Sequence, residues 1–199
     1  MKIILVGSSG IIGQAVDKEL RQRHEVITAS RTSGDIRIDI TDNHSIRDGF
    51  SSVGSFDALV SATGSVHFGD FNEMTEDEYQ IGIKNKLMGQ INLVLIGREF
   101  INPNGSFTLT TGILNRDPIR LSSSAAMVNG AIDGFVKATA LEMPNNVRIN
   151  SVSPTVITEA MDKYAPYFRG YKPVPAAEAA LAYSKSVEGL QTGQVYEVD

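Results

Sequence analysis

The sequence predicts a doubly wound α/β fold, a single domain over residues 1–199 with a parallel sheet of about seven strands and helices on both faces. Three observations predict it. Short β-branched apolar runs alternate with segments of helical period along the whole chain. The strongest runs are apolar at consecutive residues, as strands buried on both faces are. They stop at glycine, proline or small residues, where a chain leaves a sheet.

Taken in order, KIILV (residues 2–6) reads as a buried strand ending at Gly7. A helix follows, because Ile11, Ile12, Ala15, Val16 and Leu20 recur at three- and four-residue steps with charged residues between them. EVITAS is the second strand, and DIRIDI (35–40) alternates as a short third. FDALVSATG is a fourth, closing in small residues. Residues 79–100 form a long helix candidate, and GSFTLTTG (105–112) a fifth strand. Residues 124–143 are helical again, with Met127, Ala131, Phe135 and Ala138 on one face. VRINSVSP is a strand stopped by Pro154. A polar loop with tyrosines and prolines leads to a helix near 176–187, and GQVYEVD is the last strand. No repeat, low-complexity run or linker interrupts the pattern.

Composition narrows the function. Hydrophobic residues at 42% and charged residues at 21% are ordinary for a soluble globular protein. A net charge of -5 argues against nucleic-acid binding, which needs a basic face for phosphates. With no cysteine there is no disulfide framework and no thiolate nucleophile, which fits a reducing compartment. The three histidines show no metal-ligand spacing, so no metal is expected. The first apolar run is too short for a signal peptide, and no stretch approaches the roughly 20 apolar residues of a membrane span. A cytoplasmic location is the expectation.

Ligands of such sheets bind beyond the carboxyl ends of the strands. GSSGIIG places Gly7, Gly10 and Gly13 there, between the first strand and the first helix. Gly7 permits the tight turn, Gly10 lets a pyrophosphate approach the backbone, and Gly13 lets the helix pack close. After the second strand stand Ser30 and Arg31, a hydroxyl and a guanidinium suited to a 2'-phosphate. NADP is therefore expected over NAD, with Asp35 as the residue that would instead take the 2'-hydroxyl of NAD.

These motifs resemble the short-chain dehydrogenase/reductase family from end to end. The shared features are GSSGIIG, DITD (39–42), SATG (61–64), GFVKATALE, VRINSVSP and TGQVYEVD. The glycine spacing departs from the family's usual form, which has three residues between the first two glycines. The resemblance implies a Rossmann-type fold and a set of cofactor contacts. Gly7, Ser9, Gly10, Ile12 and Gly13 would hold the pyrophosphate, and Asp39 and Ile40 would flank the adenine. Ala62, Thr63 and Gly64 would line the ribose beside the nicotinamide. Pro154, Thr155, Ile157 and Thr158 would contact its carboxamide.

The same resemblance exposes a gap. The family's acid/base pair, Tyr-x-x-x-Lys, falls on Ala125 and Asn129; its serine falls on Gly112 and its asparagine on Lys86, beside Asn85. No tyrosine lies between Tyr79 and Tyr164, so no shift of register restores the pair. Lys86, Thr111 and Asn129 remain candidates for a rearranged site. Thr111 would hold a substrate oxygen, and Lys86 a developing charge. A lid tyrosine (Tyr164, Tyr167 or Tyr171) or His67 would be an alternative acid. The expectation is an NADP(H)-binding oxidoreductase-like protein with an atypical active site and an unidentified small-molecule substrate. Its rival is an inactive nucleotide sensor or partner-binding protein. Family members commonly pair through the helices at 79–100 and 124–143, which implies a homodimer or homotetramer.

Overall fold

A computed structural model describes residues 1–199. Strands β1 (Lys2–Val6), β2 (Glu25–Ser30), β3 (Ile36–Arg37), β4 (Phe56–Ser61), β5 (Ile101–Thr110), β6 (Arg148–Pro154) and β7 (Val195–Val198) form one sheet in the order β3-β2-β1-β4-β5-β6-β7. Every pairing is parallel. Successive residues of β1 serve opposite faces. Ile4 and Val6 pack toward helices α2 (Asn43–Val53), α4 (Met88–Gly97) and α5 (Ser123–Thr139), while Ile3 and Leu5 pack toward α1 (Ile11–Leu20) and α7 (Ala176–Glu188). A strand covered on both faces is apolar at every position, which is why KIILV does not alternate. The chain turns one way from β1 to β2 and β3, then returns to the other side with β4. The crevice beyond β1 and β4 is the switch point where ligands of such sheets bind.

Several elements differ from the sequence expectation, each for a local reason. The third strand is only Ile36–Arg37 rather than 35–40. Asp35 turns back and accepts hydrogen bonds from the Thr28 N–H (2.8 Å) and hydroxyl (2.7 Å). Asp39 then accepts from the Thr41 N–H and hydroxyl, which ends the ladder in a turn. Helix α2 went unidentified because only Ile46, Phe50 and Val53 carry its periodicity. Its signals were Asp42, which accepts from the His44 N–H at 2.9 Å, and Gly54 at its end. Strand β5 starts at Ile101, since residues 102–105 bulge out between the Phe56–Ile101 and Ala58–Ser106 pairings.

The long helix expected over 79–100 is three pieces. A capping box between Thr75 and Glu78 starts α3 (Glu76–Gly82) three residues early. A π-helical segment, Ile83–Leu87, then joins α3 to α4. This wider turn holds Asn85 and Lys86, and such segments recur at functional sites. Helix α5 stops at Thr139 instead of residue 143. Its face of Met127, Ala131 and Ala138 points to solvent, with Phe135 half-buried. The face against the sheet is Ala125, Val128, Ile132 and Val136, interleaved with buried Asn129 and Asp133. The helix is apolar on two sides, so periodicity alone picked the outer one. The segment after β6 is not all loop. It contains a 3-10 turn, Thr158–Ala160, and the short helix α6 (Met161–Tyr164).

Where β4 and β5 diverge, Thr110 has no strand partner on the β4 side. The fully buried Gln90 fills that place: its amide donates to the Thr110 carbonyl at 2.9 Å and accepts from the Thr110 N–H at 2.8 Å. Gln90→Leu leaves both backbone groups unpaired and should destabilise the fold by about 2–3 kcal/mol in urea unfolding. A loss below about 0.5 kcal/mol would show that this bridge is dispensable.

Candidate functional site

The site begins with two close backbone approaches. A Cβ on Gly7, whose φ is +90°, would lie 2.4 Å from the Ala62 carbonyl oxygen, and one on Gly13 would lie 2.1 Å from the Gly7 oxygen. Only glycine fits either place, and helix α1 reaches the sheet because of them. Gly10 is different. The nearest atom to its Cβ position is the Gly7 oxygen at 3.5 Å, so its outer side is open. The free N–H groups of the first turn of α1 face that opening. This cradle fits a pyrophosphate without adjustment.

On one side of the loop lies a cavity of about 250 Å³, bordered by Gly7, Ser9, Ser30, Arg31, Asp39 and Ile40. Thr63 borders it as well. So do Asn85, which stands beside the family's asparagine position, and Thr32 and Ser65, which the motifs did not single out. Asn85 pins the turn after β4 by accepting from the Ser65 N–H at 2.7 Å, a role that only the π-helical turn makes available. The Ser30 hydroxyl is held by Ser33, which turns the chain so that Arg31 stands at the rim. Asp35 is not part of this wall. Its carboxylate is tied to Thr28, whose hydroxyl and N–H hold it below the usual carboxylate range. Asp39 is held low in the same way by the hydroxyl and N–H of Thr41.

On the other side lies a cavity of about 520 Å³, bordered by Gly10, Ile12, Ala62, Gly64 and Ile157. Ile11, Phe68, Val156, Ala160, Tyr164 and Phe168 complete it. Pro154 and Thr155 do not border it. Both are buried at the end of β6, and the Thr155 N–H donates to the Val198 carbonyl at 2.8 Å. Thr158 starts the 3-10 turn, where its exposed side chain leaves the wall to Val156 and Ala160.

Lys86, Thr111 and Asn129 come together behind this wall. The Lys86 stem passes under Gly64, where a glycine Cβ would lie 2.6 Å from Lys86 Cγ. Its ammonium donates to the Thr111 carbonyl at 3.0 Å and to Asn129 Oδ1 at 2.7 Å. Asn129 in turn donates through Nδ2 to the Gly112 carbonyl at 3.2 Å. One turn farther along α5, the buried Asp133 accepts from Asn115 and Ser151, both at 2.8 Å. Burial pushes the Lys86 ammonium down to about 8, and the negative charge of Asp133 opposes that shift. The cation therefore enters from the π-helical turn before α4 and meets α5 at Asn129.

Nothing titratable stands at Ala125. It is buried against Ile113, Leu114, Val156 and Phe168. Of the lid tyrosines, Tyr164 borders the large cavity, Tyr171 donates to the Asp117 carbonyl at 3.2 Å, and Tyr167 is half exposed. His67 lies away from the cavities, with Nε2 3.4 Å from Glu78.

The enclosed lysine has a measurable signature. Its folded pKa of about 8 lies below its unfolded value. Between those two values the unfolded chain binds more protons, so this group makes stability rise with pH there; below about 8 its cost is fully present. The stability difference between wild type and Lys86→Met should therefore change from pH 7 to pH 10, in favour of wild type at the higher pH. A difference independent of pH would contradict the enclosed ammonium.

Comparison with known proteins gives the same picture. Residues 10–195 match the family model described as Enoyl-(Acyl carrier protein) reductase. The chain is 22% identical to L-xylulose reductase of Bos taurus over 182 residues, 82% of this chain and 75% of the bovine one. Among solved structures it is similar to the protein lin1944 from Listeria innocua, at 52% identity and a TM-score of 0.99 over the whole of both chains. It is also similar to a small-chain dehydrogenase in complex with NADPH, at 26% identity and a TM-score of 0.89 over all of this chain and 96% of that one. With its glycine cradle, its sheet order and the span of the match, the chain belongs to the short-chain dehydrogenase/reductase family.

Proposed function

We propose that the protein is an NADP(H)-dependent oxidoreductase with an atypical active site. The observation that carries this reading is Arg31, at the rim of the smaller cavity beside Ser30 and Thr32, where a 2'-phosphate needs a cation. The tying of Asp35 to Thr28 removes the carboxylate that would favour NAD. The likeness to a dehydrogenase in complex with NADPH supports the same choice. In this reading Gly7, Ser9, Gly10, Ile12 and Gly13 hold the pyrophosphate, Asp39 and Ile40 flank the adenine, and Ala62, Thr63 and Gly64 line the nicotinamide ribose. Ile157 borders the nicotinamide end, with Pro154, Thr155 and Thr158 shaping the turn around it. When bound, the cofactor supplies a hydride. Lys86 acts as a positioning residue, fixing Gly64 from below and donating to both the Thr111 carbonyl and Asn129 beside it.

A second reading keeps the nucleotide and drops the chemistry: an inactive sensor or partner-binding protein. The apolar packing around Ala125 favours it, because no acid has taken the missing position. In either reading the chain pairs with itself. Ile81, Met88, Leu95 and Met127 are 38–46% exposed along α3, α4 and α5, an apolar stripe that a second copy would cover. No helix is long and apolar enough to cross a membrane, so a bilayer-spanning helix does not account for that stripe.

Calorimetric titration tests the cofactor assignment. NADPH should bind more tightly than NADH, and Arg31→Ala should weaken NADPH selectively by about 1–3 kcal/mol. Equal affinities, or a preference for NADH, would contradict it. Light scattering should give at least twice the protomer mass, falling toward one protomer when Leu95 and Met127 are changed to Asp.

A further inference from the structure

We infer that the cleft takes a flat, conjugated, apolar carbonyl compound of the quinone class; this rests on the NADP(H)-dependent reading above. The first argument is the wall. A second cavity of about 270 Å³ shares Phe68 and Tyr164 with the large one and is bordered also by Ile119, Leu121, Lys163 and Tyr167. The cofactor takes Gly10, Ile12, Ala62, Gly64 and Ile157 of the larger cavity in that reading; Phe68, Val156, Ala160, Tyr164 and Phe168 remain for a substrate, and 5 of the 6 residues lining the second cavity are hydrophobic, so few groups can receive a hydroxyl. Each buried hydroxyl left without a partner costs about 1–3 kcal/mol, which disfavours a sugar. The rings of Phe68 and Tyr164 lie 6.5 Å apart, and Phe168 meets Tyr164 edge-on at 6.3 Å. Aromatic walls of this kind suit a planar ring system.

The second argument is that no acid stands at the family's tyrosine position, the one tyrosine at the large cavity, Tyr164, having its ring packed against Phe68 and Phe168. Reduction of an isolated ketone produces an alkoxide about as basic as hydroxide, far above the range in which it could persist unprotonated in water. Such a step needs a proton donor at the oxygen. Ala125 has none, and the Lys86 ammonium is turned inward onto Thr111 and Asn129. Reduction of a quinone instead produces a phenolate-like anion whose conjugate acid has a pKa of about 10, and water can protonate it later. The reduced nicotinamide would give up a hydride, with the electron pair of its C–H bond, to one quinone oxygen and so become oxidised; the other oxygen would then carry the phenolate charge and take one proton from water to complete the hydroquinone. The chain has no cysteine, so it offers no thiol for a quinone to alkylate.

The test uses the full chain with NADPH and three carbonyl compounds: 1,4-naphthoquinone, cyclohexanone and L-xylulose. Turnover should be at least tenfold faster with the quinone than with either other compound, after subtraction of the uncatalysed rate. Calorimetry with 1-naphthol, which is shaped like the product and does not react, reads the pocket without turnover. Naphthol should bind saturably, and Phe68→Ala should weaken it at least fivefold; Phe68 is 36% exposed, so its loss spares the core. Intact NADPH binding with no naphthol binding, or with equal rates on all three compounds, would overturn the substrate class alone. Absence of NADPH binding would overturn the cofactor reading and this inference with it.

Discussion

The contact of Gly13 with the Gly7 carbonyl, and of Gly7 with the Ala62 carbonyl, sets everything above the sheet. Any side chain at either position would push α1 away from β1 and β4. With the helix seated, its first N–H groups face the crevice at the switch point, and the ends of β2 and β4 supply the two walls. The loss of backbone freedom and of side-chain packing at three glycines is the cost of that geometry. The two cavities lie on either side of this seat because the loop projects between them.

A second constraint lies under Gly64. The π-helical turn advances Lys86 so that its stem runs beneath the β4 turn and its ammonium reaches α5. Lys86 and Asn129 meet across a 2.7 Å hydrogen bond; we propose, from the resemblance that sets the family's lysine at Asn129 and its asparagine at Lys86, that the two residue types have changed places here. A cation thus remains in the region while its backbone anchor has moved from one helix to another. A lysine added at Asn129 in the present background would meet the Lys86 ammonium directly. A tyrosine at Ala125 would have to displace Leu114, Val156 or Phe168. Placing a tyrosine and a lysine at these two positions would therefore require the surrounding residues to repack.

Much of this was legible in the sequence, for physical reasons. The glycine loop and six of the seven strands carry strong local signals: consecutive apolar runs, and glycine where no side chain fits. The break in the 79–100 helix was not legible, because a π-helical turn has the composition of an α-helix. The meeting of Lys86 with Asn129 depends on that turn, and so it was missed too. The outward face of α5 misled because both of its sides are apolar. Val156, Ala160 and Phe168 were missed because they act through where the chain after β6 folds, which no local pattern specifies.

The exchange of lysine and asparagine across the α4–α5 boundary is the central claim, and one measurement addresses it. NADPH affinity is compared in wild type, Lys86→Asn and the exchanged pair Lys86→Asn/Asn129→Lys. The account predicts that the single change weakens binding about tenfold, or roughly 1.4 kcal/mol, and that the exchanged pair recovers most of the loss because the cation returns to the same region from the other helix. An unchanged affinity in Lys86→Asn, or an exchanged pair no better than the single change, would contradict it.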